Sequence, residues 1–170
     1  MKVSTVPLDT LQLDPANVRT HGDRNMDAIA ASLQRFGQAE PLVVQQSSRR
    51  VIGGNGRLQA MKQLGWTECD IVELDVDDLQ ATALAIALNR TASLAEWDEP
   101  GLARLLEQLK AEDALDGVGF DETELDDLLG RYSVHRKDEG KNAPAHARYY
   151  GNVPHNLSLP SWSILHLRQV

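Results

Sequence analysis

The chain is 170 residues long and 42% hydrophobic, which gives room for one ordinary domain plus appendages and enough apolar material for a single core. Its formal charge of -8 at pH 7 argues against a protein that simply coats nucleic acid, because non-specific DNA affinity rests on Lys and Arg displacing counterions. The longest apolar run falls far short of the roughly 18 residues needed to cross a bilayer, and the start of the chain lacks a signal peptide's basic-then-apolar order, so a soluble cytoplasmic protein without membrane contact is expected.

Val3, Val6, Leu8, Leu11 and Leu13 make an apolar opening strand that runs into Asp14-Pro15-Ala16-Asn17, a turn signature. From Asn25 to Phe36, apolar side chains recur at three- and four-residue spacing (Met26, Ile29, Ala30, Leu33, Phe36) and Gly37 supplies the stop, which predicts an amphipathic helix. Pro41-Leu42-Val43-Val44 and Arg50-Val51-Ile52 are short β-branched runs joined by the polar connection Gln45 to Arg49, and predict neighbouring strands. Leu58, Met61, Lys62 and Leu64 then keep helical spacing up to Gly65. Cys69 to Leu74 is apolar enough for a strand covered on both faces. Cys69, the one cysteine, is there a structural residue, with no second cysteine for an internal disulfide or thiolate cluster.

After residue 76 the pattern turns helical. Asp77-Asp78 caps a helix to about Asn89, Trp97-Asp98-Glu99-Pro100 opens a second through Leu109 with Trp97 as its packing anchor, and Asp121-Glu122-Thr123-Glu124 opens a third through Leu129. The expected fold class is α/β (α+β): a small mixed sheet with helices over residues 1–78, followed by a helical extension of the same domain over 79–130. From Arg131 the periodicity is lost, and 131–170 reads as a flexible tail whose Leu157 to Leu167 stretch offers a short apolar contact. Its histidines, His135, His146, His155 and His166, lack metal-ligand spacing. Charge is uneven: residues 1–75 hold 8 basic against 9 acidic side chains, 76–130 hold 3 against 14, and 131–170 hold 6 against 2. The acidic helices are read first as a solvated face, and second as a surface that organises a partner.

The chemistry-bearing stretch is Arg50-Val51-Ile52-Gly53-Gly54-Asn55-Gly56-Arg57-Leu58-Gln59-Ala60, a strand running through three glycines into a helix. Glycine lets the backbone come close to a ligand, free N–H groups at a helix start favour an anion, and Arg57 adds a charge-assisted contact to phosphate. The spacing matches neither GxxxxGK[ST] nor GxGxxG, and a tight turn without a ligand accounts for the same glycines.

Three elements in this order, over Val6 to Asp78, resemble the ParB N-terminal domain, whose fold is shared with sulfiredoxin: Asn17-Val18-Arg19, then Gly37-Gln38-Ala39-Glu40-Pro41-Leu42-Val43-Val44, then Gly54-Asn55-Gly56-Arg57-Leu58-Gln59-Ala60 against the family box Gly-Glu-Arg-Arg-x-x-Ala. Asn55 stands for the box's glutamate and Gly56 for its first arginine, which implies a divergent branch of phage or mobile-element type. Sulfiredoxin's catalytic cysteine would fall in this loop, where there is none, so that activity is not expected. A further family element, Glu-Asn-x-x-Arg, has the partial counterpart Leu88-Asn89-Arg90, with leucine in the acid's place. The stretch Ala87 to Ala92, then Trp97-Asp98-Glu99 and Val118-Gly119-Phe120-Asp121, resembles modules often joined to a DNA methyltransferase, although no Asp-Pro-Pro-Tyr or Asn-Pro-Pro-Tyr motif is present here.

The resemblance implies a nucleotide-binding module acting in a DNA context, accessory or regulatory in DNA modification or in plasmid or phage maintenance. The ligand would be CTP, ATP or ADP, with or without Mg2+. Gly53, Gly54, Gly56 and Arg57 would hold phosphates, Asn55 would be a polar contact, and Arg19, Gln38, Asn89 and Arg90 would complete the rim. DNA would be met directly or through a partner, such as a DNA methyltransferase or a phage packaging or replication protein; a homodimer is kept as an expectation. Asn89 and Arg90 also fit a plain helix end. An enzymatic alternative, a nuclease, NTPase or small-molecule kinase, needs paired acids, and Glu40 and Asp70 flank strands without an evident pairing. A third reading makes the acidic helices a protein-docking surface and the glycines only a turn.

Overall fold

The strand expected over Val3–Leu13 is broken in the computed structural model, which describes residues 2–133. β1 covers Val3–Pro7, a 3-10 turn takes Leu8–Thr10, and β2 is Gln12–Leu13. The reason lies in Leu8 and Leu11: three apart, both are buried to 3% exposure, a spacing that a turn satisfies and an alternating strand does not. Asp14 then closes the predicted turn, its carboxylate accepting from Ala16 N at 3.0 Å.

The remaining elements of the sheet follow in the predicted order: α1 (Asp23–Phe36), β3 (Leu42–Gln45), β4 (Arg50–Gly53), α2 (Asn55–Gln63) and β5 (Glu68–Leu74). The five strands lie in the order β1-β5-β3-β4-β2. β5 pairs antiparallel with β1 and parallel with β3, β4 pairs antiparallel with β3, and β2 runs parallel to β4, so the sheet is mixed and the architecture α+β. One face of the sheet packs on α1 and α2 through Leu42, Val44, Val51, Leu58, Met61 and Ile71, all without solvent exposure. Cys69 and Ile71 enter this core from β5, while Val72 is buried as well. Burial pushes the Cys69 thiol above its ordinary range, and the neighbouring Asp70 charge adds to the effect, which keeps it an unreactive thiol. Phe36 departs from the expected core stripe: it is the last residue of α1, 55% exposed, and covered by the Arg35 guanidinium 4.7 Å from its ring centre.

α3 (Asp78–Leu94) runs five residues past the expected end. It starts at a capping box in which Asp77 accepts from Gln80 N and Gln80 accepts from Asp77 N. The polar residues that read as a terminal turn stay helical by bonding back one turn: Asn89 Nδ2 to Ala85 O, Thr91 Oγ1 to Ala87 O and Ser93 Oγ to Asn89 O, each at 2.9 Å. α4 (Glu99–Ala111) and α5 (Glu122–Ser133) then build a second apolar cluster on Ala103, Leu106, Leu125 and Leu128. It is tied to α1 by Arg24, paired with Asp121 at 3.0 Å and with Glu124, and by Arg35, which donates to Ala114 O at 3.0 Å. Trp97 is not the expected packing anchor: it is 71% exposed and meets Phe120 edge-on, ring centres 6.4 Å apart.

Residues 1–132 group as one unit. From 134 onward the expected tail, with its four histidines and Leu157–Leu167, lies outside the described residues. Among the described residues no helix is long and apolar enough to cross a membrane.

Ile71→Ala, which empties the centre of the sheet, is expected to cost about 2–5 kcal/mol in urea unfolding. A loss below about 1 kcal/mol would contradict the interior position of β5, between β1 and β3.

Candidate functional site

Three glycines surround the β4–α2 junction, and each is there for a different reason. Gly53 ends β4, and a β-carbon on it would lie 2.9 Å from Leu88 Cδ1 of α3. Gly54 is the N-cap of α2 at φ 97°, a left-handed conformation that side chains resist, and its missing β-carbon leaves room for Leu42 Cδ2 at 2.7 Å. Gly56 lies within the first turn of α2 under the imidazole of His21, whose Cε1 would be 2.8 Å from a β-carbon there. The glycine loop is therefore short: Asn55, Gly56 and Arg57 already belong to the helix.

Asn55, expected to offer a polar contact to a ligand, is instead engaged at both ends of its side chain: Oδ1 accepts from Asp14 N at 2.9 Å and Nδ2 donates to Val51 O at 2.8 Å. It bolts the strand-to-helix turn to the start of the Asp14–Asn17 turn. Because the N-cap is glycine and Asn55 is occupied, no side chain caps α2, and its first-turn amides are left to a ligand or water.

These amides open on a cleft of about 500 Å³ lined by residues 53–57, Arg19, His21, Glu40, Leu88 and Asn89, among others. Arg57 reaches across it to Glu40, donating to the backbone oxygen at 2.8 Å and pairing with the carboxylate at 3.2 Å. Arg19 bridges to α3 by donating to Ser93 Oγ at 3.0 Å, on a turn that Asn17 stabilises by accepting from Arg19 N and donating to Arg19 O. Asn89 reaches the cleft because α3 continues past it.

The structure thus brings Gly53 to Arg57, Arg19 and Asn89 together, and separates two expected members. Gln38 lies outside the cleft: its amide donates to Asp70 O and Glu40 O and accepts from Asp70 N, which latches the entry to β3 onto β5. Arg90 turns instead to a neighbouring cavity of about 320 Å³ between α3 and residues 14–19. His21 is a member of the cleft that sequence reasoning misses. Its contact with Gly56 joins residues 35 positions apart, and a lone histidine before a glycine carries no periodic signal; the one available hint is a glycine inside the first turn of a helix, where nothing local requires it.

Of the two acids weighed for catalysis, Glu40 lines the cleft but is paired with Arg57, and Asp70 accepts the Thr5 hydroxyl at 2.6 Å, away from it. Among the described residues no group of three or more His, Cys, Asp or Glu side chains is arranged to hold a metal ion.

The family model described as the ParB N-terminal domain matches residues 1–90, from the first strand to the part of α3 that borders the cleft. The chain belongs to the ParB N-terminal domain family. A curated relative, the nucleoid occlusion protein of Lysinibacillus sphaericus (strain C3-41), is 26% identical over 92 residues; the match takes in 52% of this chain and 31% of that protein, so this chain corresponds to about a third of it. Among solved structures, the C-terminally truncated chromosome-partitioning protein ParB from Caulobacter crescentus, complexed with CTP-gamma-S, superposes with a TM-score of 0.65 at 18% identity, covering 87% of this chain and 91% of that one. A Pnob8-like ParB-N domain gives a TM-score of 0.46 at 23% identity, covering 66% of this chain and 48% of that one.

Asn55→Asp tests the bolt. It places a carboxylate oxygen against the Val51 carbonyl where an amide donated, and is expected to lower stability by about 1–3 kcal/mol in thermal or urea unfolding. A change within about 0.5 kcal/mol would show that the junction does not depend on this side chain.

Proposed function

We propose that the cleft binds a nucleoside triphosphate with its phosphates at the start of α2, and that the chain is a nucleotide-binding module acting in a DNA context. The observation that carries this reading is the meeting, in one cleft of about 500 Å³, of an uncapped helix start with the guanidinium groups of Arg57 and Arg19. That volume suits a ligand of nucleotide size. The fold shared with a protein complexed with CTP-gamma-S makes CTP the first candidate, ahead of ATP and ADP. Among the described residues Glu40 is the one carboxylate lining the cleft, so Mg2+ arriving with the nucleotide would be held mainly by the phosphates.

Arg57 would exchange Glu40 for phosphate when ligand binds, a charge-assisted contact of the kind that dominates phosphate recognition. Labelled CTP, ATP and ADP titrated against wild type and Arg57→Ala test this. Wild type is expected to prefer one of them, and the variant to bind it at least about tenfold more weakly, the equivalent of one charge-assisted hydrogen bond. Equal, weak binding by both proteins would remove the phosphate-cradle reading.

The DNA context rests on the family and on the nucleoid-occlusion relative. The acidic stretch 76–130 favours reaching DNA through a partner, with a DNA-modifying enzyme or a plasmid or phage maintenance protein as candidates. The chain alone is expected to leave duplex DNA unshifted in electrophoresis at physiological salt; a shift that weakens steeply between about 50 and 200 mM salt would assign the DNA contact to this chain itself.

A further inference from the structure

His21 stands where two helix starts meet. It directly precedes Gly22, the N-cap of α1, and its ring covers Gly56 in the first turn of α2: a β-carbon at position 56 would lie 2.8 Å from Cε1, 2.9 Å from Nε2 and 3.1 Å from Nδ1. The imidazole therefore fills the place that a side chain at position 56 would otherwise take, on the wall of the cleft. Neither helix has a side-chain cap. Two sets of orphan amides, both at the positive ends of helix dipoles, are thus brought to one half-buried histidine.

The ring has a defined orientation. Nδ1 lies 2.6 Å from Asn25 Oδ1, one turn into α1; an amide oxygen only accepts, so Nδ1 carries a hydrogen and Nε2 is the nitrogen left for a ligand. The charged groups lining the same cleft are Arg19 from the preceding turn, Arg57 from α2 and Glu40 from the entry to β3. Asp23 and Arg24 follow in the first turn of α1, and Arg24 is occupied by Asp121 and Glu124 of the α5 start. From α3 the cleft receives the neutral Leu88 and Asn89, while Arg90 faces the neighbouring cavity. A phosphate placed on the α2 amides would meet Nε2. A neutral Nε2 presents a lone pair to it, and a protonated Nε2 presents a hydrogen and a positive charge.

We propose that His21 is a proton-linked phosphate contact of this cleft: its imidazolium donates Nε2–H to a phosphate oxygen of the bound nucleotide, and Asn25 holds the ring in that orientation. The inference rests on the nucleotide reading of the cleft. Binding then takes a proton from solvent onto His21 whenever the free ring is neutral. The sign follows: a group that binds its proton more tightly in the complex than in the free protein strengthens binding at low pH, and that contribution fades as pH rises.

The test is calorimetric titration of the full chain with CTP, and with ATP in parallel, from pH 6 to 8.5, for wild type, His21→Gln and Arg57→Ala. Repeating the pH 7.5 titration in buffers of different ionisation enthalpy gives the protons taken up per nucleotide. The nucleotide's own terminal phosphate titrates near about pH 6 with every protein, so the difference between wild type and His21→Gln is the quantity read. Wild type is expected to lose about tenfold in affinity relative to His21→Gln between the low and high ends of the range, and to take up as much as about half a proton more than the variant, the uptake that a tenfold linkage allows. Identical affinities, pH profiles and proton uptake in the two proteins, with Arg57→Ala still weakened, would overturn the role of His21 and leave the nucleotide reading standing. No binding by wild type at any pH would overturn both. Ring NMR of wild type decides the matter even where His21→Gln fails to fold: one of the five histidine signals moving toward the imidazolium position when nucleotide is added at pH 7.5 supports the proposal, and five unmoved signals in a nucleotide-saturated sample overturn it.

Discussion

The cleft exists because the chain turns from strand to helix across a single residue. β4 ends at Gly53 and α2 begins at Asn55, and only Gly54, at φ 97°, lies between them. Such an abrupt turn is stable only if its neighbours hold it, and here Asn55 does so from inside the helix by bonding Val51 O behind it and Asp14 N beside it. Asp14 in turn is almost fully buried and lies 3.7 Å from Arg50 Nε, an ion-pair distance too long for a hydrogen bond. Arg50 Nη2 extends to Asp78 at the start of α3 at 3.4 Å. One chain of polar contacts thus fixes the 14–19 turn, the α2 start and the α3 start against one another. The first two border the cleft, and the same α3 reaches it further along at Leu88 and Asn89, so much of its shape is set by the fold before any ligand arrives.

α1 has a similar organising place for the rest of the molecule. Met26 and Leu33 bury one side of it in the sheet core, while Arg24 and Arg35 on other faces hold the α4–α5 layer. The energetic weights differ. Burial of apolar side chains supplies most of the stability of the first contact. Exposed pairs such as Arg24 with Asp121 contribute little singly and mainly set geometry. The α4–α5 layer therefore relies on its own small cluster, on Leu106 and Leu125 above all. This fits a unit whose family match ends at residue 90, inside α3.

The parts of the fold that depend on periodicity are legible in the sequence itself. The amphipathic stripe of α1, the β-branched runs of β3 and β4, and the Asp77 and Asp121 helix starts are encoded within a few residues of where they act. The remainder is decided by tertiary contacts or by competition between local rules. Leu8 and Leu11 fit an alternating pattern with Val6 and Leu13 poorly, and burying both turns the chain. Asn89, Thr91 and Ser93 read as a helix end, but side-chain bonds to the previous turn let α3 continue. At the cleft, the glycine signal and Arg57 are readable because they are contiguous. The occupation of Asn55 by Asp14 and the placing of His21 on Gly56 join positions 41 and 35 apart, and nothing local announces such pairings.

The residues at which this chain departs from the family box are satisfied one by one within its own structure. Asn55, in the place of a glutamate, needs both a donor and an acceptor for its two bonds, and a carboxylate has no donor to offer Val51 O. Gly56, in the place of an arginine, is the condition for His21 to lie against α2, since any β-carbon would enter the ring. Leu88, in the place of an acid, packs its Cδ1 onto the bare backbone of Gly53, where a charge would be set against an apolar contact with Val43 close by. Reverting one of these positions alone would therefore meet a site built around the other residue. At these three positions the chain's own residues form a set of fitted contacts, each of which leans on a neighbour that the others help to place.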